Sequence, residues 1–330
     1  MKPELELKIL KKTMQLRYNK QPKLMEMKTK LLSKLVEYNR IVNQDLRNQD
    51  NESLNQWEKE RWGRQILHPL VNQKKIKAAK VVVFGLGGIG SNILIGLSYS
   101  GVNNIKILDF DKIDLSNLNR QTLYCPKDVD QLKTVKAKER LLEINPEINV
   151  ESCHLLLNYP ENLNLLSMKE KDFSKNITEV EKYIKWGDFI VNAMDYNGAP
   201  YLINDLSVKN KKPFYWAGVN HFLGDIYNYY PKKEFACLRC IFGPTNIINS
   251  TQFMRYKTKE NTPTKGVNIG STVMTTGAIV SEMIIHEICG INNSARGCYF
   301  IYDAENFTIF KIPAKIDIEC ECQKYHQRDE

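Results

Sequence analysis

The chain has 330 residues, which is enough for one large domain and a smaller appendage. Its 42% hydrophobic and 26% charged residues are ordinary for a globular protein and exclude a collagen-like, mostly disordered or membrane-channel chain. The net charge is +9, and residues 1–50 alone hold twelve Lys and Arg against six acids. The remaining chain is near neutral, so we expect no nucleic-acid partner.

Residues 1–55 are predicted to form a basic appendage. One set of apolar residues alternates as on a strand, and a second set recurs at steps of three and four as on an amphipathic helix; the sets are Leu5, Leu7 and Ile9, and Leu24, Met27, Leu31, Leu35, Tyr38 and Val42. The helix either packs against the protein or a twin subunit, or helps to recognise a peptide. The polar run over 43–55 marks a boundary, and the main domain is predicted over 56–330.

Nothing in the sequence predicts export or membrane insertion. The first residues, MKPELELK, lack the apolar core of a secretory signal. Residues 81–105 carry no charge and are long enough to span a bilayer, but six glycines argue against a transmembrane helix. We therefore expect a cytoplasmic protein without membrane contact, whose eight cysteines are thiols or metal ligands.

From Lys80 onward the pattern is strand, glycine turn, helix and strand, which is typical of a doubly wound parallel sheet. Helices are predicted from Leu132 to Ile144 and from about Ile269 to Ile288. Further strands are predicted at 150–155, 189–193, 214–218 and 225–230, and a hairpin at 299–302 and 308–312. The predicted class is α/β, with a Rossmann-like, mostly parallel sheet and a C-terminal antiparallel portion.

The turn after the first strand reads Gly85-Leu86-Gly87-Gly88-Ile89-Gly90, a G-x-G-x-x-G motif that opens a helix. Glycines let the backbone approach a phosphate, and the helix amino terminus supplies N–H donors. Asp109 ends the next strand, where a carboxylate binds ribose hydroxyls. Taken alone, these residues favour a nicotinamide-dependent oxidoreductase.

The segment 109–121, DFDKIDLSNLNRQ, and the later Lys133 favour a different chemistry. A hydride-transfer site has little use for cations at the phosphates. Nucleotidyl transfer builds negative charge on the phosphoryl oxygens and the leaving pyrophosphate, which fixed cations and a metal must meet. Arg120 and Lys133 are the candidate cations; the alternative is that both are solvated surface residues.

Six motifs follow one another along the chain: Glu60-Arg61-Trp62-Gly63-Arg64-Gln65, the GLGGIGS turn, LDFDKIDLSNLNRQ, QLK, AMDYN and Cys237-Leu238-Arg239-Cys240. The same motifs occur in the same order in the ubiquitin-activating-enzyme-like adenylyltransferases, the ThiF/MoeB superfamily, which this chain therefore resembles. The resemblance extends over roughly residues 58–322.

The resemblance implies an ATP and Mg²⁺ site formed by Gly85, Gly87, Gly88, Gly90, Asp109, Asp111, Ser116, Asn117, Arg120, Gln121, Lys133 and Asp195. The implied catalytic residues are Arg64, Arg120, Lys133 and Asp195. Asp195 matches the family's aspartate on the magnesium side of the site. Its position before Tyr196-Asn197 suits a helix N-cap equally well. Arg64 matches an arginine that the opposite subunit supplies to the γ-phosphate, so a homodimer is implied.

Cys237, Cys240, Cys320 and Cys322 resemble the structural zinc site of the family. The family usually closes this site with C-x-x-C, whereas here only Glu321 separates the second pair, so we expect strain and keep His326 as an alternative ligand. A redox role for CLRC is disfavoured because the motif follows a strand and a polar turn and is not expected to open a helix.

The segment corresponding to the family's crossover loop, about 243–268, contains no cysteine. Members that pass the acyl group on as a thioester carry a cysteine there, because a thiolate is readily formed and strongly nucleophilic. The sequence therefore favours ATP- and Mg²⁺-dependent adenylation of the C-terminal end of a short ribosomal peptide, as in the microcin-type enzymes. The loop lysines and arginine, Arg255, Lys257, Lys259 and Lys265, suit a lid over an acidic terminus or a solvated loop.

Three alternatives remain open. The chain activates the C-terminal glycine of a sulfur-carrier or ubiquitin-like protein, or it is an NAD-dependent oxidoreductase, or it is a silent scaffold that presents a peptide. Among the other cysteines, Cys125, Cys153, Cys289 and Cys298, packing is expected to dominate. Cys125 is the exception, because the charge of nearby Arg120 would favour a thiolate.

Overall fold

A computed structural model describes residues 22–43, 53–157, 159, 164–169, 174–194, 198–243, 268–291 and 294–326. The chain divides into two compact units, Met1–Lys74 and Lys75–Glu330. The division after residue 55 that the sequence suggests stays a prediction. Among the described helices, none has both the length and the apolar character that crossing a membrane requires.

The first unit contains helices α1 (Pro22–Asn43), α2 (Gln56–Arg61) and α3 (Gly63–Ile66). Helix α1 confirms the predicted amphipathic helix. Asn55 caps α2, since its side-chain oxygen accepts the Glu58 N–H at 2.9 Å while its own N–H donates to the Glu58 carboxylate at 2.8 Å. The predicted strand at Leu5–Ile9 lies outside the described residues.

The second unit is an eight-stranded sheet with helices on it. Its strands are β1 (Lys80–Phe84), β2 (Asn104–Asp109), β3 (Asn149–His154), β4 (Phe189–Asn192), β5 (Phe214–Asn220), β6 (Leu223–Tyr229), β7 (Cys298–Asp303) and β8 (Thr308–Pro313). Its helices are α4 (Gln73–Ala78, which begins at the unit boundary), α5 (Gly88–Ser100), α6 (Lys133–Ile144), α7 (Lys175–Trp186), α8 (Ala199–Lys209), α9 (Leu238–Phe242), α10 (Gly270–Cys289) and α11 (Gln323–His326).

The strand order is β3-β2-β1-β4-β5-β6-β7-β8. Strands β1 to β5 pair in parallel, whereas β6, β7 and β8 continue the sheet antiparallel. This arrangement confirms the predicted α/β class with its C-terminal antiparallel portion. The strand order reverses at β1, so ligands are expected at the carboxyl ends of β1 and its neighbours.

Helices α5 and α10 pack closely because glycines remove the side chains between them. A Cβ on Gly96 would lie 2.5 Å from the Ser281 hydroxyl, and one on Gly277 would lie 2.7 Å from the Asn92 Cβ. A Cβ on Gly270, the first residue of α10, would overlap the Asn119 carbonyl oxygen. The amino end of α10 therefore lies against the segment that contains Arg120.

A buried ion pair joins α8 to the CLRC segment. Arg239 donates to both carboxylate oxygens of Asp205 at 2.7 Å, and the side chains are 2% and 0% exposed. Asp205 also accepts the Leu165 N–H at 3.0 Å, and Asn204 accepts the Leu238 N–H at 2.9 Å. Burial raises the pKa of Asp205, and Arg239 opposes that shift. The Asp205–Arg239 ion pair thus fixes the positions of Cys237 and Cys240.

We expect Asp205→Ala to lower the free energy of unfolding by about 3–5 kcal/mol, because it removes the carboxylate that neutralises the buried Arg239 charge. Urea denaturation of the folded enzyme measures this loss. The double variant Asp205→Ala/Arg239→Met should lose less than the single variant. Glu179→Gln, which breaks an exposed pair with Lys182, is the control and should cost at most about 1 kcal/mol. Equal losses in Asp205→Ala and the control would refute this role.

Candidate functional site

The glycine turn at the end of β1 is fixed by close packing. Gly85 has a φ of +93°, and a Cβ there would lie 2.7 Å from the Ala193 carbonyl oxygen. A Cβ on Gly90 would overlap the Gly85 carbonyl oxygen, and one on Gly88 would lie 2.7 Å from Val273. Gly87 differs, since the nearest atom to its Cβ position is the Gln121 amide nitrogen at 3.8 Å. Three of the glycines serve packing, whereas among the described residues a Cβ on Gly87 would make only ordinary contact.

The amino end of α5 is a ready anion site. The helix begins after Gly87, and no side chain caps it. Its first N–H groups lack intrahelical acceptors, and the helix dipole adds partial positive charge at the same place. This geometry can hold a phosphate group.

Asp109 ties the end of β2 to the glycine turn. Its Oδ2 accepts the Leu86 N–H at 2.6 Å, and its Oδ1 accepts the Asp111 N–H at 2.7 Å. The residue is 5% exposed, and burial raises its pKa while the Lys133 ammonium group opposes that shift. The carboxylate therefore supports the turn directly, and ribose hydroxyls would use the lone pairs that remain.

Lys133 is not a solvated surface residue. It is 4% exposed, and its Nζ lies 2.7 Å from the Asp111 Oδ2. Its backbone N–H also donates to the Asp111 carbonyl at 3.0 Å, which fixes the start of α6 beside the loop after β2. For Lys133 the surface alternative is wrong, because the loop and helix enclose the side chain.

Arg120 is half-buried and packs its side-chain stem over the glycine turn. Its Cγ lies 3.3 Å from the Cβ position of Gly88. Its Nη1 donates to the Ser116 carbonyl at 3.0 Å and to the Asn119 side chain at 2.8 Å. Ser116 is exposed on a 3₁₀ turn, in which Asn117 closes a capping box with Asp114.

Gln121 places a polar atom without a partner beside the turn. The residue is 4% exposed, and its Oε1 accepts no hydrogen bond from the described residues. A buried amide oxygen without a donor is uncommon in proteins. A bound ligand that donates a hydrogen bond would satisfy it.

The sequence analysis missed two residues that join these parts. Asn92 donates to the carbonyls of Gly88 at 2.8 Å and Arg120 at 3.2 Å. The Tyr124 hydroxyl donates to the Leu86 carbonyl at 2.9 Å. The only signal for Asn92 was a polar residue in an otherwise apolar helix. Together these bonds hold the SNLNRQ segment to the glycine turn.

The structure thus brings most of the predicted nucleotide residues to the carboxyl edge of β1 and β2. These are Gly85, Gly87, Gly88, Gly90, Asp109, Asp111, Arg120, Gln121 and Lys133, with Ser116 and Asn117 on the adjoining turn. Arg64 lies on α3 in the first unit. Asp195 lies outside the described residues.

Four cysteine thiols converge at the carboxyl end of the chain. The Sγ atoms of Cys237 and Cys320 are 3.7 Å apart, those of Cys240 and Cys322 are 3.5 Å apart, and all four lie within 4.8 Å of one another. A tetrahedral zinc ion with Zn–S bonds of about 2.3 Å needs sulfurs about 3.8 Å apart. The four thiols therefore fit a zinc ion.

Cys320 and Cys322 both reach the first pair from a turn before α11, so the C-x-C spacing is compatible with four converging thiols. The strain expected from that spacing stays a prediction. One expectation about these cysteines is wrong. The CLRC motif does open a helix, because Cys237 is the residue before α9. The side chain of His326 lies outside the described residues.

The expectation of a thiolate at Cys125 is also wrong. Its Sγ donates to the Asp128 carboxylate at 3.0 Å, and this hydrogen bond raises the pKa of the thiol. The neighbouring acid thus disfavours a thiolate at this position.

Comparison with known proteins agrees with this geometry. The ThiF family model matches residues 62–324. A sulfur carrier protein adenylyltransferase of Thermus thermophilus is 28% identical over 277 residues, which are 80% of this chain and 91% of that protein. The adenylyltransferase and sulfurtransferase MOCS3 of Culex quinquefasciatus is 33% identical over 192 residues, 57% of this chain and 40% of that protein.

Solved structures share the fold. E. coli MccB with ATP has a TM-score of 0.64 and 23% identity, covering 80% of this chain and 74% of that chain. PaaA has a TM-score of 0.63 and 22% identity, covering 79% of this chain and 75% of that chain. The family match spans most of the chain, and its relatives are named adenylyltransferases. The chain therefore belongs to the ThiF family and is an adenylyltransferase of the ThiF/MoeB type.

Proposed function

We propose that this enzyme uses ATP and Mg²⁺ to adenylate the C-terminal end of a short ribosomally made peptide, without an enzyme thioester. The observation that carries the proposal is the absence of cysteine from residues 243–268. A serine or threonine there would need a general base to replace the missing thiolate. The adenylate is then released or reacts in place.

The remaining thiols support this choice. The hydrogen bond to Asp128 raises the pKa of the Cys125 thiol, and burial raises the pKa of Cys298. Cys153 lies on β3 and Cys289 ends α10, so both belong to regular elements of the fold. These positions suit packing, not acyl transfer.

In the proposed site, the amino end of α5 binds phosphate, and Arg120 and Lys133 neutralise the charge that develops during transfer. Lys133 is already enclosed beside Asp111, so its charge is held in place before the reaction. Mg²⁺ would be held with Asp195, and Arg64 would act from the other subunit of a homodimer. The magnesium ion would offset negative charge on the phosphates.

The second candidate is activation of a carrier protein, which is favoured by the name of the Thermus relative, a sulfur carrier protein adenylyltransferase. A peptide substrate is supported by one of the structurally similar proteins, MccB, which is described as a Microcin C7 biosynthetic enzyme in complex with N-formylated MccA. ATP–pyrophosphate exchange with short peptides, compared with a folded carrier ending in Gly-Gly, separates the two. Exchange with the carrier alone would overturn the peptide proposal.

Arg120→Ala and Lys133→Ala should each lower kcat by roughly a hundredfold, about 3 kcal/mol of barrier, and change the KM for ATP much less. The reason is that their charges are needed most in the transition state. Pyrophosphate exchange measures both constants, and thermal melts check that each variant is folded. Lys138→Ala, an exposed lysine of α6, is the control and should keep full activity. A tenfold rise in the KM for ATP with unchanged kcat would refute the assignment of Arg120 and Lys133 to the transition state.

Arg64 is tested by mixing subunits. Arg64→Ala and Lys133→Ala enzymes should each keep only a small residual activity, and their mixed dimers should regain a larger part because one composite site is intact. Tagged subunits purified as heterodimers provide the sample. Heterodimers that form and stay inactive would show that Arg64 does not act across the interface.

We propose that Cys237, Cys240, Cys320 and Cys322 hold about one structural zinc ion per chain. Metal analysis of the purified enzyme should find it, and Cys320→Ser should lower both zinc content and melting temperature. Cys289→Ser is the control, because this cysteine lies at the end of α10 outside the cluster. A full complement of zinc in Cys320→Ser, or none in the unaltered enzyme, would contradict the assignment.

A further inference from the structure

The face of the antiparallel sheet that points away from α10 carries an isolated carboxylate. A Cβ on Gly224 would overlap the Thr276 hydroxyl of α10, so Gly224 faces that helix. Its neighbour Asp225 on β6 faces the opposite side, because successive residues of a strand alternate. Gly218 of β5 and Ile301 of β7 pair with Asp225 and are both partly exposed.

Asp225 is a buried carboxylate whose charge no described residue compensates. It is 5% exposed, and Tyr299 donates to its Oδ1 at 2.8 Å. No other described side chain or backbone group donates to the carboxylate, and no described cation forms an ion pair with it. Burial raises the pKa of Asp225, opposed only by the Tyr299 hydrogen bond. A buried carboxylate with one neutral donor is costly unless another group pairs with it.

Aromatic rings lie next to this carboxylate. The Tyr299 ring centroid is 5.9 Å from that of Phe242 and 6.5 Å from that of Trp216. Phe242 and Tyr299 are half-buried, so parts of their rings remain open to a ligand. Aromatic faces beside a carboxylate are typical of a site that binds an organic cation.

The carboxylate lies on the same edge of the sheet as the nucleotide site. Strand β5 runs parallel to β4 and β1, and Gly218, which pairs with Asp225, lies two residues beyond Trp216 toward the carboxyl end of β5. Strand β6 is third from β1, so the lateral separation of the two strand axes is about 14 Å at the usual strand spacing. Asp225 faces away from α10 whereas α5 packs against α10, so a bound peptide also has to cross the edge of the sheet. An extended peptide covers the lateral separation in about four residues, which is the minimum length of the connection.

We propose that Asp225 is a specificity-determining residue that binds a cationic side chain, Lys or Arg, about four or more residues before the reacting terminus of the substrate. This rests on the proposed function, in which that terminus is a peptide carboxyl end. A cation is favoured over a neutral donor because only a cation offsets the buried charge as well as donating to the unpaired oxygen. Tyr299 positions the carboxylate.

The test uses fluorescein-labelled octapeptides with free C-termini, in which each position from second to sixth from the end carries Lys, norleucine or Gln in turn. Binding is measured by anisotropy without ATP, and adenylation by ATP–pyrophosphate exchange. Asp225→Asn keeps the shape and removes the charge. Asp303→Asn is the matched control, because Asp303 lies on the same face two residues beyond Ile301 and its carboxylate serves a local turn.

At one position, Lys should bind about tenfold more tightly than norleucine, and Gln should resemble norleucine. Asp225→Asn should reduce this preference to twofold or less, whereas Asp303→Asn should keep it. Should Asp225→Asn melt too low to assay, Tyr299→Phe serves instead and should lower the preference partially. An equal preference in Asp225→Asn, a Gln peptide that matches Lys, or no position that prefers Lys would overturn the proposal.

The two readouts distinguish the inference from the proposed function. An Asp225-dependent preference in binding without any pyrophosphate exchange would refute peptide adenylation and keep the cation site. Exchange with peptides that shows no preference for Lys would refute the cation site and keep peptide adenylation.

Discussion

The contact between Gly90 and the Gly85 carbonyl oxygen is the constraint on which the nucleotide site depends. No side chain fits between them, so the first turn of α5 rests directly on the end of β1. Asp109 then fixes the turn from β2 through the Leu86 N–H. Asn92, from within α5, holds the segment that carries Arg120. Charges that must meet a phosphate are therefore positioned by backbone packing, which costs no reorganisation when a ligand arrives.

The central part of this fold could be predicted because its sequence is locally unambiguous. Strand β1 and helix α5 occupy an uncharged run broken only by glycines, small polar residues and the turn, and Asp109 ends the next strand. The candidate nucleotide residues come from the same motifs, and their role stays a prediction. Helix α7 had a usable signal, since Ile177, Val180 and Ile184 recur at helical spacing behind a Ser174 cap, and it was overlooked. Helix α8 had none, because nearly all its residues are buried.

Tertiary contacts could not be predicted from local pattern. The enclosure of Lys133 depends on where the loop after β2 turns, and the raised pKa of Cys125 depends on the hydrogen bond to Asp128 in a tight turn. The Asp205–Arg239 pair joins residues 34 apart, and nothing in either local sequence indicates its partner. In the sequence Asp225 is only one residue of a predicted strand, because the isolation of its carboxylate arises only when the sheet is assembled.

The cysteine cluster also sets an order on folding. Cys237 and Cys320 are 83 residues apart, and Tyr325 reaches back to the Leu166 carbonyl across 159 residues. During synthesis at about 5–20 residues per second, the first two thiols would wait roughly 4–17 s for the second pair. Until then the face of β6 and α8 that receives the tail stays open. The segment from Cys320 to Tyr325 therefore covers part of the core, and without it this face would be uncovered.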